Sequence, residues 1–176
     1  MRPVLRVAMG AVPLMFAAGL SGCLSPHTNL LEAHQRIAVP LAENQTYDTE
    51  YNRGLEVEVT EAVRRTFIQD ARLSLVSRDE ADLLLEVRIT KLERSPVRAD
   101  RYGELAEGQI LLTARLTLTN LRTGKSYFRD RAVRNDGERF ESGLYSIRRG
   151  QNEEQGRARA VEDLGRSIAR QVLDYW

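Results

Sequence analysis

Cysteine is almost absent: Cys23 is the only one in the chain. An intramolecular disulfide and a thiolate zinc site are therefore both excluded. Histidine is nearly as scarce. His27 and His34 stand on a polar stretch outside every periodic segment, and two imidazoles without a firm third partner make no metal site. A glycine-rich phosphate loop, an HExxH pair, a GxSxG elbow and a nucleophilic cysteine are all missing, so no enzyme is expected. Nor does one sign of charge prevail, with 26 basic and 25 acidic residues. That balance argues against a globally basic nucleic-acid binder. A long membrane-spanning run is lacking too. The apolar stretch 7–20 is about fourteen residues long, short of the ~20 that a transmembrane helix needs.

What is present at the N-terminus reads as an export signal. Arg2 and Arg6 precede the apolar stretch, and Leu20-Ser21-Gly22 leads straight into Cys23. This arrangement resembles the lipobox of bacterial lipoproteins, in which the thiol is acylated and the peptide is cut before the cysteine. Residues 1–22 are thus expected to be a lipoprotein signal peptide, Cys23 the lipidation site, and 23–35 a tether. Each buried CH₂ contributes roughly 0.8 kcal/mol of membrane affinity, so two or three chains hold firmly. Loss of 1–22 removes two arginines and no acids, leaving 24 basic against 25 acidic residues. Leu24, rather than an aspartate, follows the cysteine, which favours the outer membrane over the inner.

Residues 36–176 are of a length for one domain. Residues 36–41 read as a short strand ending at Pro40, followed by a polar loop over 43–52. Leu55, Val59, Ala62, Val63 and Phe67 recur at helical spacing, with Glu56, Glu58 and Glu61 toward the start and Arg64 and Arg65 toward the end. Residues 73–76 form a short strand. Alternation over 81–93 sets Leu83, Leu85, Val87 and Ile89 on one face, and over 109–120 sets Ile110, Leu112, Ala114, Leu116 and Leu118 likewise. A turn at 120–124 leads to a strand over 125–134, then a glycine-rich loop over 135–152. A last helix, 153–175, carries Ala158, Val161, Leu164, Ile168 and Val172 on its apolar stripe. The expected fold is α+β, in the order β-α-β-β-β-α. Two helices pack on one face of a mixed, mostly antiparallel sheet of four to five strands. The other face is polar, with Arg88, Arg115, Arg129 and Arg131.

Two basic groupings fall in loops: Arg94, Arg98 and Arg101 around a hairpin tip, and Arg148 and Arg149 before the last helix. Arginine's planar fork suits phosphate, although solvated loop charge is the commoner reason for such residues. The lipobox, the helix, Ala81-Asp-Leu-Leu-Leu-Glu-Val-Arg88 and Arg101-Tyr-Gly-Glu-Leu-Ala-Glu-Gly-Gln-Ile-Leu-Leu-Thr113 together resemble the lipopolysaccharide-assembly lipoprotein family, LptE. The resemblance spans 36–176. It implies a lipid-anchored plug and assembly partner of the outer-membrane barrel LptD, placing lipopolysaccharide at the cell surface. It also gives Arg101 the role of contacting lipopolysaccharide, with Arg98 beside it, and leaves the second basic position to Arg149 or Arg148. No cofactor is expected. Leu24-Ser25-Pro26 departs from the glycine and aromatic that follow the cysteine in many members. The alternative is an outer-membrane lipoprotein that activates a cell-wall synthase or joins a secretion complex. Such proteins share a strand like Arg36-Ile-Ala-Val-Pro40 and a following amphipathic helix.

Overall fold

The computed structural model describes residues 36–47, 52–135 and 142–174. The signal segment, Cys23, His27, His34 and the tether lie outside these. The described chain runs β1 (Arg36–Ala38), β2 (Glu43–Asn44), α1 (Leu55–Asp70), β3 (Ser74–Leu75), β4 (Leu83–Ala99), β5 (Leu105–Asn120), β6 (Ser126–Arg134), β7 (Leu144–Ser146), a 3-10 turn (Ile147–Arg149) and α2 (Glu153–Leu173).

Both helices form where the sequence pattern predicts them. Helix α1 buries Leu55, Val59, Ala62, Val63 and Phe67, one apolar stripe against the sheet. Gly54, in the left-handed region at φ 83°, starts it. Helix α2 opens on a capping box. The Asn152 side chain accepts from the Gln155 backbone N–H, and the Gln155 side chain accepts from Asn152 N–H. Two of the orphan donors at the helix start are thereby satisfied. Its buried stripe includes Gly156, Ala160, Val161, Leu164, Gly165, Ile168 and Val172. Ala158, expected on that stripe, is exposed, because the first turns of α2 direct Gly156 and Ala160 at Tyr145 and Gly143 instead.

The sheet is mixed and has seven strands, in the order β3-β1-β4-β5-β6, with β2 joining β4 and β7 joining β5. β1 runs parallel to β3 and β4, the connection from β1 to β3 being made by α1. The long ladders, β4 with β5 and β5 with β6, are antiparallel. The expected four to five strands become seven because β2 and β7 fall inside stretches read as loops. Both are three residues or fewer, too short for alternation to register. Leu83, Leu85, Val87 and Ile89 of β4 and Ile110, Leu112, Leu116 and Leu118 of β5 are buried under the two helices. A smaller cluster of Ala38, Ala81 and Leu84 lies apart from this core, with Val76 and Leu121 packed on it.

Three side chains join the pieces. Arg64 donates twice to the Val39 carbonyl, at 3.0 and 2.6 Å, fastening α1 to the end of β1. Asn135, buried, accepts from Leu112 N–H at 2.8 Å and donates to the Ile110 carbonyl and Ser142 Oγ. It stands in for a strand in the gap between β6 and β7 along the edge of β5. Tyr145 of β7 lies between two glycines. A Cβ at Gly108 would fall 2.5 Å from its Cζ, and one at Gly156 would fall 2.6 Å from its Cδ1. The ring thus ties β7 to β5 on one side and to α2 on the other, and burial pushes its phenol above the usual value.

Candidate functional site

The β4–β5 hairpin extends well past the part covered by the helices. Alternation reads as a strand only to residue 93 and only from 109, yet β4 continues to Ala99 and β5 begins at Leu105. Residues 96–99 are all exposed, so no one-sided burial imposes a period of two there. The ladder itself is irregular at this end, with register shifts between Pro96 and Arg98 and between Arg98 and Ala99.

The tip is a tight, self-satisfied turn. Asp100 Oδ1 accepts from the backbone N–H of Tyr102 at 2.8 Å and of Glu104 at 3.0 Å, and Gly103 adopts φ 81°. The Asp100 carboxylate is therefore occupied by the turn. Arg101 projects from this turn and lies 5.1 Å from the centroid of the Tyr102 ring, a cation–π contact that leaves its N–H donors uncommitted. Arg98 stands opposite Glu107 in the ladder, exposed and without an ion-pair partner among the described residues.

Arg149 reaches the same end from elsewhere in the chain. β7 pairs with the distal part of β5, Ser146 against Glu107 and Leu144 against Gln109, and the 3-10 turn carrying Arg148 and Arg149 follows at once, closed by Gly150 at φ 71°. Arg149 lines a groove of about 430 Å³ together with Glu107, Tyr145, Arg159 and Glu162. It too has no partner among the described residues. The outer edge of β7 is blocked: Gln151 bonds both the N–H and the carbonyl of Ser146, the carbonyl through its backbone, and Arg159 takes the Leu144 carbonyl.

Of the five arginines in the two groupings, Arg98, Arg101, Arg148 and Arg149 are without an ion-pair partner among the described residues. Arg94 is not. It pairs with Glu153 at 2.5 Å on the helix side of the sheet, opposite Ile110, and so joins the hairpin to the first turn of α2. The polar sheet face is likewise more occupied than its composition suggests. Arg88 and Arg115 both pair with Asp130, at 2.8 and 2.5 Å. Asp130 itself sits at φ 53° where β6 shifts register, a conformation aspartate tolerates better than most residues. Arg131 is not on this face. It stands opposite Leu116, on the helix side, with its guanidinium 5.8 Å from the Phe128 ring centroid.

Sequence reasoning missed the apolar residues at this end. Val97, Tyr102, Leu105 and Ile147 are 51, 76, 40 and 50 % exposed. A signal was present, since three of them flank Arg98 and Arg101, but each reads alone as an ordinary strand residue.

At the other end of β4 the charges are fully engaged. Asp82 is buried and accepts two bonds from Arg36, at 3.2 and 3.1 Å, and one ion pair from Arg122 at 2.5 Å. Hydrogen bonding from Arg36 and then Arg122, against the cost of burial, holds its carboxyl below the usual carboxylate range. Among the described residues no helix is long and apolar enough to cross a membrane.

The described residues thus form a two-helix, one-sheet domain whose projecting hairpin end carries unpaired guanidiniums and exposed apolar side chains. The model of the LptE family, lipopolysaccharide-assembly, matches residues 35–175, and the chain belongs to that family. No curated protein matches the sequence. Among solved structures the chain is similar to the hypothetical protein CT253 from Chlamydia trachomatis, with 13% identity and a TM-score of 0.52 over 81% of this chain and 97% of that one. It is also similar to the uncharacterized lipoprotein B from Nitrosomonas europaea, at 12% identity and TM-score 0.49, covering 79% and 82% of the two chains. The minor lipoprotein from Acinetobacter baumannii follows at 13% and 0.46, covering 79% and 90%. The first of these shares the fold.

Proposed function

We propose that this chain is a non-enzymatic outer-membrane lipoprotein, processed before Cys23 and lipidated on it. Residues 23–35 serve as its tether and residues 36–176 as its single domain. It assists lipopolysaccharide transport to the cell surface as the plug and assembly partner of the translocon barrel LptD. It binds lipopolysaccharide through Arg101, Arg98 and Arg149. The observation that carries this reading is the exposed hairpin end, where these three guanidiniums lack a carboxylate partner among the described residues in a chain of the lipopolysaccharide-assembly family. A guanidinium with free N–H donors can take a phosphate oxygen pair in bidentate fashion, and lipid A carries such phosphates. By that contact the arginines compete with the cations that bridge neighbouring lipopolysaccharide molecules.

The first test is a mild-detergent pull-down of the tagged, lipidated protein from its own outer membrane, with partners identified by mass spectrometry. A stoichiometric large β-barrel is expected; a cell-wall synthase or a secretin would move the reading to a different assembly. The second is Arg101→Asp, expected to weaken lipopolysaccharide binding while leaving fold and barrel association intact. Unchanged binding would sink the assigned role of Arg101.

A further inference from the structure

Among the described residues, the eight large hydrophobic side chains that stand exposed are unevenly spread. Leu41, Tyr47, Val57 and Ile68 belong to β1–β2 and α1 segments, whereas Val97, Tyr102, Leu105 and Ile147 all belong to the hairpin end or the turn that β7 brings to it. The register brings their backbones to one end of the sheet. Ala99 pairs with Leu105, Arg98 with Glu107, and Glu107 with Ser146, so Val97 and Ile147 each sit next to a row about 10 Å wide across three strands, and Leu105 stands two residues beyond it. Singly exposed apolar residues need no explanation, but a group of them does. The same few residues carry the cations Arg98, Arg101, Arg148 and Arg149, none of them engaged with a carboxylate among the described residues. Unpaired guanidiniums and apolar side chains thus share one end of the sheet, together with the carboxylates of Asp100, Glu104 and Glu107.

From this we infer that the hairpin end recognises both parts of an anionic glycolipid: guanidiniums take the phosphates, while Val97, Leu105 and Ile147 lie against the first methylenes of the acyl chains. The inference rests on the lipopolysaccharide reading above and deepens it. It commits to the acylated lipid rather than the phosphorylated sugar alone. A purely electrostatic site would bind both forms equally. A site that also covers methylenes removes apolar surface from water and therefore prefers the acylated form. Tyr102 joins the two, being exposed and in cation–π contact with Arg101.

The test uses the full lipidated protein in lipid nanodiscs, with protein-free discs as reference. Two probes are titrated: lipopolysaccharide with its acyl chains intact, and the same material chemically deacylated with both phosphates kept. The intact form should bind at least tenfold tighter. The combined variant Val97→Ser, Leu105→Ser, Ile147→Ser should lose that margin on the intact form and bind the deacylated form as the parent does. Arg101→Asp should weaken both. Equal binding of the two probes by the parent overturns the inference, as does a triple variant that holds the intact form unchanged. If the triple variant instead releases a protein partner while its lipid binding stays the same, the apolar surface is a protein interface and the inference also falls. Failure of the parent to bind either probe strikes the underlying lipopolysaccharide reading, a result distinguishable from the others. All three serines replace exposed residues, so an unchanged melting temperature is the control for folding.

Discussion

Replacing Gly156 with alanine should do the opposite of what helix propensity predicts, and should do so only while Tyr145 is present. An exposed Gly→Ala change in a helix interior stabilises by about 1 kcal/mol. In α2 the added methyl would stand 2.6 Å from Tyr145 Cδ1 and 3.0 Å from the Gly143 carbonyl oxygen. The ring cannot retreat, because Gly108 of β5 already touches its far side. Forcing a methyl into such a packed position costs about 1–3 kcal/mol, so the net effect is a loss of about 1 kcal/mol. In a Tyr145→Ala background the ring is gone, and the same substitution should become neutral or slightly stabilising. The coupling between the two positions is then about 1–3 kcal/mol. Urea unfolding followed by far-ultraviolet circular dichroism measures all four proteins of the cycle. With a slope near 2 kcal/mol/M, a loss of 1 kcal/mol moves the midpoint by about 0.5 M. A midpoint that rises by that amount in Gly156→Ala alone would refute the account of Tyr145 as a ring held between two glycines.

Gly165→Ala should also destabilise, since its Cβ would lie 2.8 Å from the Ala62 carbonyl carbon and push α1 and α2 apart; a raised thermal midpoint would contradict this. Asn135→Leu strands the buried Leu112 N–H and Ile110 carbonyl that the amide serves, for a loss of about 2–4 kcal/mol in equilibrium unfolding; a loss under 1 kcal/mol would show that the gap between β6 and β7 repairs itself. Asn152→Ala removes the capping box of α2 and should cost about 1 kcal/mol in the same assay. Asp82 makes stability depend on acid. Its folded pKa lies below its unfolded one, so its contribution is present above the unfolded value and is lost as pH falls through the depressed folded value. Asp82→Asn should therefore flatten the decline of melting temperature below pH 4, and an unaltered acid limb would remove Asp82 as its source.

The fold was legible wherever a face is buried on one side only. The stripe Leu55–Val59–Val63–Phe67 and the alternation of Leu83, Leu85, Val87 and Ile89 each report the same boundary between helices and sheet, which is why the layer arrangement could be read from pattern alone. The hairpin end was legible only as charge. Over 96–99 every residue of β4 is exposed, and a strand without a buried face leaves no period in its sequence. β7 was hidden for another reason: its position depends on Gly108 and Gly156 making room for Tyr145, residues that lie 37 and 11 positions away. Because β7 went unseen, Arg149 could be proposed only by its place before the last helix, and its approach to the hairpin came from a pairing that no local signal announces. The opposite error concerns Arg131. Simple alternation would keep it with Arg129, but the shift at Asp130 turns it to the other face.

The length of β4 makes the domain a lever. Its 17 residues span about 55 Å at roughly 3.3 Å each, longer than the ~40–45 Å of a whole bilayer with its headgroups. Arg36, where the tether joins, is bonded to Asp82 at the near end of that span, and Arg101 stands at the far end. With the lipid on Cys23 as proposed, the 13 residues 23–35 reach at most about 45 Å, nearly the length of the hairpin. The tether thus falls roughly 10 Å short of the hairpin, so a hairpin turned back toward the membrane must lean or set its tip into the headgroups. The anchor therefore leaves the outward pose open and constrains the inward one, in which the hairpin end itself meets the membrane surface.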